Sequence, residues 1–214
     1  MNHDELRAHY IREMTQPLGE VFHHLMQEMA RLHLKWNELL TAFGQREHRV
    51  AMLNRAASGF FHLVQDSWWN DLLLGISRIT DDRTDVLTVI RLPKLVTVAI
   101  RVDVTERLDT VIAGTGFARD HRNRMIAHRN IDLALGRPST PLTPHGKAHM
   151  DAALTAIDDL LYFIDNHYTG TGPTAYEHFG LLGGADSILD IVERGLKHRD
   201  AQFERHRPTP RSSD

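Results

Sequence analysis

The residues best suited to chemistry lie together in the segment RDHRNRMIAHRN, residues 119–130. Within it, Arg122 is followed directly by Asn123, and His128 comes six residues after Arg122. An imidazole can accept or give a proton near neutral pH. A guanidinium stays charged, and its planar fork matches the oxygens of a phosphate. These residue types in one short segment predict proton transfer beside a bound anion.

The composition excludes several other kinds of chemistry. The chain has 214 residues and no cysteine, so it cannot form disulfides, thiolate zinc sites, cysteine nucleophiles or cysteine-bound iron–sulfur clusters. Its 25 lysine and arginine residues are balanced by 28 aspartate and glutamate residues. Because the chain is not basic as a whole, any contact with nucleic acid has to be local.

Two pairs of residues elsewhere have metal-ligand spacing. Glu20 and His23 have the Glu-x-x-His spacing of di-iron bundles, but the sequence offers no second pair of that kind. His145 and His149 are four residues apart, on what we predict to be one helix, and no third ligand is evident nearby. We therefore predict no metal site and no cofactor.

Helical periodicity dominates the chain that must position these residues. Apolar residues recur at three- and four-residue steps from Leu18 to Leu40. This spacing predicts a helix that starts near Pro17 and stops at Gly44. The same pattern predicts a second long helix over 46–79, which ends at the sequence TDDRTD.

The middle of the chain holds shorter elements. The stretch VLTVIRLPKLVTVAI is rich in β-branched residues, but Pro93 at its centre and the lack of a partner strand favour a short helix and a connector. A helix is predicted from about Val104 into the arginine-rich segment, weakened by Gly114 and Gly116.

Two further helices complete the predicted fold. One begins at a cap on Thr143 and runs to about residue 168, and the last covers roughly 186–204. We predict an all-α fold, an antiparallel bundle of about five main helices. It forms a single domain over 1–206, followed by a polar tail over 207–214.

Two stretches of the sequence resemble a known family. The segment RNRMIAH, residues 122–128, is similar to the motif of the HEPN superfamily, in which an arginine and an adjacent Asn, Asp or His precede a histidine. The AHR at 127–129 is a frequent ending of that motif. Upstream, WWNDLLLGISRITDD resembles the tryptophan-to-RLTD helix of the phage abortive-infection U-type branch.

The resemblance implies a HEPN-like helical domain that acts as a metal-independent endoribonuclease. Such a protein would be a toxin or an antiviral, abortive-infection effector that cuts RNA and leaves a 2′,3′-cyclic phosphate. Arg122 would stabilise the transition-state charge, His128 would act as acid or base, and Asn123 would orient the phosphate or the histidine. Phosphate affinity would come from the neighbouring arginines Arg119, Arg124 and Arg129.

Residues of SRITDD allow two interpretations. Arg78 and Asp81 most simply cap or terminate the second long helix. Alternatively, they contact the arginine-rich segment and orient its side chains. Either role follows from their place at the end of that helix.

The six-residue spacing of the motif does not place both reacting groups on one helical face. On an ideal helix, Arg122 and His128 would lie about 120° apart and about 9 Å along the axis. Either the helix ends near Ala127 and lets His128 turn inward, or two copies of the motif meet across a twofold axis. The family implies the second arrangement, a homodimer with a composite active site.

Two other functions remain open at this point. An arginine-rich helix end also suits the helix dipole without any catalysis, so the chain could be a silent interaction module or a toxin–antitoxin partner. The third hypothesis is a nucleotide-binding helical domain. We also expect RNA as substrate and a possible cognate antitoxin.

The sequence predicts a cytoplasmic protein without a membrane partner. Its apolar runs are only a handful of residues long, whereas a membrane-spanning helix needs about 20. The first residues, MNHDELRAHY, are too polar for a signal peptide.

Overall fold

The computed structural model describes residues 2–44, 47–83, 85–128, 130–170 and 183–206. Every regular element in these ranges is helical, which confirms the all-α prediction. The α-helices are α1 (His3–Met14), α2 (Gln16–Phe43), α3 (Glu47–Ile79), α4 (Leu92–Leu95), α5 (Arg101–Gly114), α6 (Gly116–His121), α7 (Ile131–Ala134), α8 (Lys147–Thr169) and α9 (Ala185–Arg205). Single-turn 3₁₀ helices occupy Val89–Arg91 and Val98–Ile100, and a π-helical segment occupies Arg122–Ile126.

The two long helices lie where the apolar periodicity predicts them. Helix α2 ends at Phe43, and the amide of Gly44 donates to the carbonyl of Leu40 at 2.8 Å. Helix α3 is kinked at Ala57, whose φ of −164° and ψ of 73° are not helical. The kink precedes the pair Ser58–Gly59, and such Gly/Ser pairs are a common cause of helix kinks.

The segment around Pro93 forms short helical turns rather than a strand, as predicted. Pro93 lies in the first turn of α4, where its missing N–H costs no hydrogen bond. Four of its apolar side chains, Val89, Leu92, Val96 and Ile100, are buried, whereas Val98 is exposed.

The predicted start of the helix that ends near residue 168 is wrong. Helix α8 begins at Lys147 after Gly146, not after a cap at Thr143. Thr143 bonds instead to Asp120, which accepts hydrogen bonds from its amide at 2.7 Å and its hydroxyl at 2.9 Å. A tertiary contact therefore takes the side chain that the sequence suggests as a cap.

Helix α1 precedes the first helix that the periodicity predicts. Asn2 and Glu5 cap its start reciprocally, each accepting from the other's backbone amide. Thr15 ends it with a positive φ of 75°, and the chain turns back into α2. A Cβ on Gly19 would come within 2.5 Å of the carbonyl oxygen of Tyr10, so only glycine allows this close approach.

The chain divides into two compact units. The first comprises the described parts of Met1–Lys35 and Asn70–Phe179 and contains all the predicted site residues that the structure describes. One face of α8 contributes to its core, with buried residues at three- and four-residue steps: Met150, Ala153, Leu154, Ile157, Leu160, Leu161 and Ile164.

The second unit comprises the described parts of Trp36–Trp69 and Gly180–Asp214. Its parts are held partly by ion pairs between α3 and α9: Arg49 with Asp186 at 3.0 Å and Arg55 with Asp200 at 2.8 Å. The predicted tail over 207–214 lies outside the described residues. That 1–206 forms one domain stays a prediction.

Candidate active site

The arginine-rich segment follows a broken helix. Helix α5 ends at Gly114, and the chain resumes helical form at Gly116. The segment Arg122–Ile126 is π-helical, and the amide of Ala127 donates to the carbonyl of Arg122 at 2.8 Å, five residues back. π-Helical turns are rare and are frequently found at functional sites.

The π-helical segment ends at Ile126, which agrees with the predicted alternative of a helix that ends near Ala127. His128 lies in the bend beyond it, but its side chain is exposed instead of turned inward. Among the residues that the structure describes, none hydrogen-bonds the His128 ring. The imidazole is therefore available to solvent or to a bound molecule.

The Arg122 guanidinium is held in a fixed orientation. Its Nη1 donates to Asp81 Oδ2 at 2.6 Å, and its Nε donates to Asn123 Oδ1 at 2.9 Å. Within the described part of the chain, Nη2 makes no hydrogen bond. Two of the three guanidinium nitrogens are thus anchored, and Nη2 is left for a ligand.

Asp81 is well suited to anchor a cation. It follows α3, is only 9% exposed, and its Oδ1 accepts the backbone amide of Arg83 at 3.0 Å. The Arg83 amide and the Arg122 guanidinium lower the pKa of Asp81 below its ordinary value. The carboxylate therefore stays ionised beside Arg122. The sequence allows two roles for Asp81, and the structure shows the second, a contact with the arginine-rich segment.

Arg78, the other residue predicted at the end of α3, forms its ion pair outside the arginine-rich segment. Arg78 forms its ion pair with Glu28 on α2 at 3.2 Å, and about two thirds of its side chain is exposed. Asn123 is exposed, and its oxygen is oriented toward Arg122. Asn123 thus hydrogen-bonds the guanidinium of the adjacent Arg122. Its role in catalysis stays a prediction.

Two of the arginines predicted to bind phosphate make internal bonds. Arg119 donates to the hydroxyls of Thr80 and Thr115 and to the carbonyl of Ile112. Arg124 donates to the carbonyl of Pro141 and pairs with Asp120, and Arg129 lies outside the described residues. Their contribution to phosphate binding stays a prediction.

Arg124 fastens the loop that precedes α8. It donates to the carbonyl of Pro141 at 3.1 Å and to that of Thr140, and it pairs with Asp120 at 3.4 Å. Burial opposes ionisation of Asp120, but the bonds from Thr143 and Arg124 outweigh burial and lower its pKa. Asp120 and Arg124 together hold this loop against the arginine-rich segment.

A model of the HEPN family AbiU2 matches residues 15–181 of the chain. The match covers most of the 214 residues and every described residue of this site. The chain belongs to the AbiU2 HEPN family. Membership confirms the resemblance to the HEPN superfamily and to its abortive-infection U-type branch. Neither the curated proteins nor the solved structures gave a match.

The AbiU2 family assignment gives a coarse function. The protein carries a HEPN-type domain of the abortive-infection class. In the described ranges, no helix has both the length and the apolar character to cross a bilayer.

A histidine pair that the sequence does not predict lies beside the motif of this AbiU2-family protein. His121 immediately precedes Arg122, is buried, and its ring centroid is 3.8 Å from that of His145. Burial and the neighbouring His121 lower the pKa of His145. The available signal was the four-residue step from Phe117 to His121, which places both on the buried face of α6.

The two residue pairs with metal-ligand spacing contact other side chains instead. His145 lies before the first residue of α8, so the prediction that it shares a helix with His149 is wrong. Glu20 pairs with Arg7, and the Nε2 atoms of His23 and His3 are 3.3 Å apart. Within the described ranges, no three His, Asp or Glu side chains are grouped to hold a metal ion.

Proposed function

We propose that this AbiU2-family protein is a metal-independent endoribonuclease that acts in abortive infection and leaves a 2′,3′-cyclic phosphate. The observation that carries the proposal is the Arg122 guanidinium, anchored by Asp81 and Asn123 with Nη2 unbonded, six residues before an exposed His128. A phosphate oxygen at Nη2 would meet a preoriented positive charge, and preoriented charges usually make the largest single contribution to stabilising charge that develops during a reaction.

The chemistry requires two proton transfers. A base removes the proton of the RNA 2′-hydroxyl, whose oxygen then forms a bond to the adjacent phosphorus. The bond from phosphorus to the 5′-oxygen breaks, and an acid gives that oxygen a proton. His128 serves in these transfers, and Arg122 stabilises the negative charge that builds on the phosphate oxygens.

A homodimer supplies both proton-transfer groups. The base and the acid act on different oxygens, and one chain offers a single motif histidine. Two His128 side chains meeting across a twofold axis would provide both. The exposure of His128 supports this arrangement, because a surface side chain can reach a cleft shared with a second copy.

The direct experiment measures cleavage of a labelled single-stranded RNA in EDTA. We expect the wild type to cut and His128→Ala to lose at least about 100-fold in rate, the range given by general acid–base catalysis. Arg122→Lys keeps the charge but loses the fork, and we expect a similar loss. His62→Ala removes an exposed histidine of α3 and serves as the matched control.

Two results would contradict the proposal. Cleavage that survives His128→Ala, or a folded wild type that cuts no RNA, would remove it. End-group analysis of the product distinguishes a cyclic phosphate from a product of simple hydrolysis.

One observation favours a second candidate, a catalytically silent interaction module. The 2.6 Å bond between Arg122 and Asp81 already satisfies part of the guanidinium, as a structural ion pair would. Such a module would bind a toxin or antitoxin partner, and its function would survive His128→Ala. Capture of a partner by a protein that cuts no RNA would support this candidate.

A further inference from the structure

Arg119 is a half-buried cation whose hydrogen-bond partners are all uncharged. Its Nη1 donates to the hydroxyl of Thr80 at 3.1 Å and to that of Thr115 at 2.8 Å, and Nη2 donates to the carbonyl of Ile112 at 2.7 Å. No carboxylate among the described residues lies within ion-pair distance of this guanidinium. Burial and the nearby Arg122 lower the pKa of Arg119, and the charges of Asp82 and Asp81 oppose only part of that shift. The three bonds therefore stabilise a charge in an unfavourable location.

Both threonines belong to helix ends. Thr80 follows α3, and its buried hydroxyl donates to the carbonyl of Ile76 at 2.8 Å. Thr115 follows α5, and its buried hydroxyl donates to the carbonyl of Val111 at 2.7 Å. Each hydroxyl uses its proton within its own helix and leaves its oxygen to accept from Arg119. Because helix C-termini carry partial negative charge, one guanidinium stabilises two of them.

We propose that Arg119 is a positioning residue that brings Asp81 to Arg122. Thr80 directly precedes Asp81 in the chain, and Arg119 lies less than one helical turn before Arg122. The bond from Arg119 to Thr80 therefore ties the end of α3 to α6 beside the Asp81–Arg122 ion pair. This inference rests on the ribonuclease function proposed above, and it replaces the phosphate-binding role that the sequence suggests for Arg119.

The two roles for Arg119 give different kinetic results. Loss of a phosphate ligand raises KM and reduces the slope of log affinity against log salt by about 0.7 for a single strand. Loss of a positioning residue lowers kcat and leaves KM and that slope unchanged, because the residue does not touch RNA. Displacing a reacting group by about 1 Å can lower the rate about 100-fold.

The test compares Arg119→Met and Arg119→Lys with the wild type. Lysine keeps the charge but cannot bridge three acceptors with a planar fork. We expect kcat to fall about 10- to 100-fold in both variants, with KM and the salt slope of the wild type. The matched control is Arg107→Met on α5, whose guanidinium lies 4.4 Å from the ring centre of Phe163, and it should leave all three quantities unchanged.

A double-mutant cycle with Asp81→Asn tests whether Arg119 acts through the ion pair. We expect Arg119→Met to lower kcat much less in the Asp81→Asn background than in the wild type. Additive losses, a raised KM, a smaller salt slope or an unchanged kcat would each overturn the proposal.

A second variant covers the case in which Arg119→Met does not fold. Thr80→Val removes the accepting hydroxyl, keeps the side-chain shape, and carries the same expectations for kcat, KM and the salt slope. A folded wild type that cleaves no RNA contradicts the proposed function itself. The failure of that function is thus distinguished from a failure of the role assigned to Arg119.

Discussion

At the scale of single residues, the site depends on how one arginine is held. Arg122 contacts a carboxylate from the end of α3 and the amide of its own neighbour, Asn123. Because these two hydrogen bonds already fix the guanidinium, Arg122 loses little conformational freedom when it binds an anion. His128 lies six residues further along the chain and is exposed, so a bound molecule can reach its ring.

Asp81→Asn should make the protein less stable in a pH-dependent way. The pKa of Asp81 is depressed in the folded state, so its contribution is present above the ordinary value of 3.8 and is lost as pH falls below it. Hydrogen bonds to charged groups contribute about 1.5–3 kcal/mol, and we expect a loss of this size at pH 7.

The measurement is urea unfolding of the wild type and Asp81→Asn from pH 7 to pH 3. The difference in free energy of unfolding should be constant above about pH 5 and shrink toward pH 3. A difference that stays constant down to pH 3, or that grows as pH falls, would contradict the described pairing.

At the scale of elements, the sequence predicts the long helices better than the parts that shape the site. The stripes of α2 and α8 are regular, because each helix buries one continuous face. Helix α1 buries only Tyr10 and Met14, and so offers no comparable stripe. The start of α8 is displaced because Thr143 bonds to Asp120 from another element.

The sequence predicts which residue types form the candidate site, but it does not predict their tertiary contacts. The order of Arg122, Asn123 and His128 is readable from the sequence, and so is the presence of Asp81 at a helix end. The bridge from Arg119 to Thr80 joins residues 39 positions apart and leaves no periodic signal. The π-helical turn likewise depends on backbone bonds that residue types alone do not specify.

Arg124→Met should loosen the loop before α8. Its guanidinium holds the carbonyls of Thr140 and Pro141 and contacts Asp120, which in turn holds Thr143. Bonds of this class contribute about 1.5–3 kcal/mol, so hydrogen exchange at the Thr143 amide should accelerate at least about tenfold.

The matched control for this prediction is Arg137→Met. Among the described residues, the Arg137 side chain forms an ion pair with Asp132 alone, at 3.7 Å, and it is well exposed. Its loss should leave exchange at Thr143 unchanged. Equal exchange in Arg124→Met and in the wild type would show that the loop is held by something else.

At the scale of the whole molecule, the proposed activity requires two chains. If each active dimer uses both His128 side chains, a dimer of one wild-type and one His128→Ala chain will be inactive. Mixing the wild type with increasing His128→Ala, under conditions that allow subunits to exchange, should lower activity as the square of the wild-type fraction. Mixtures with His62→Ala should keep full activity, and a linear fall with His128→Ala would indicate that one chain suffices.

The proposed attack by the 2′-oxygen is tested most directly by removing that one oxygen atom from the substrate. An oligonucleotide that the wild type cuts in EDTA is compared with the same sequence carrying a 2′-deoxy sugar at the cut position. We expect the modified strand to bind as well and to remain uncut at that position, because the attacking oxygen is missing. Cleavage of the 2′-deoxy strand at that position would contradict the mechanism assigned to Arg122 and His128.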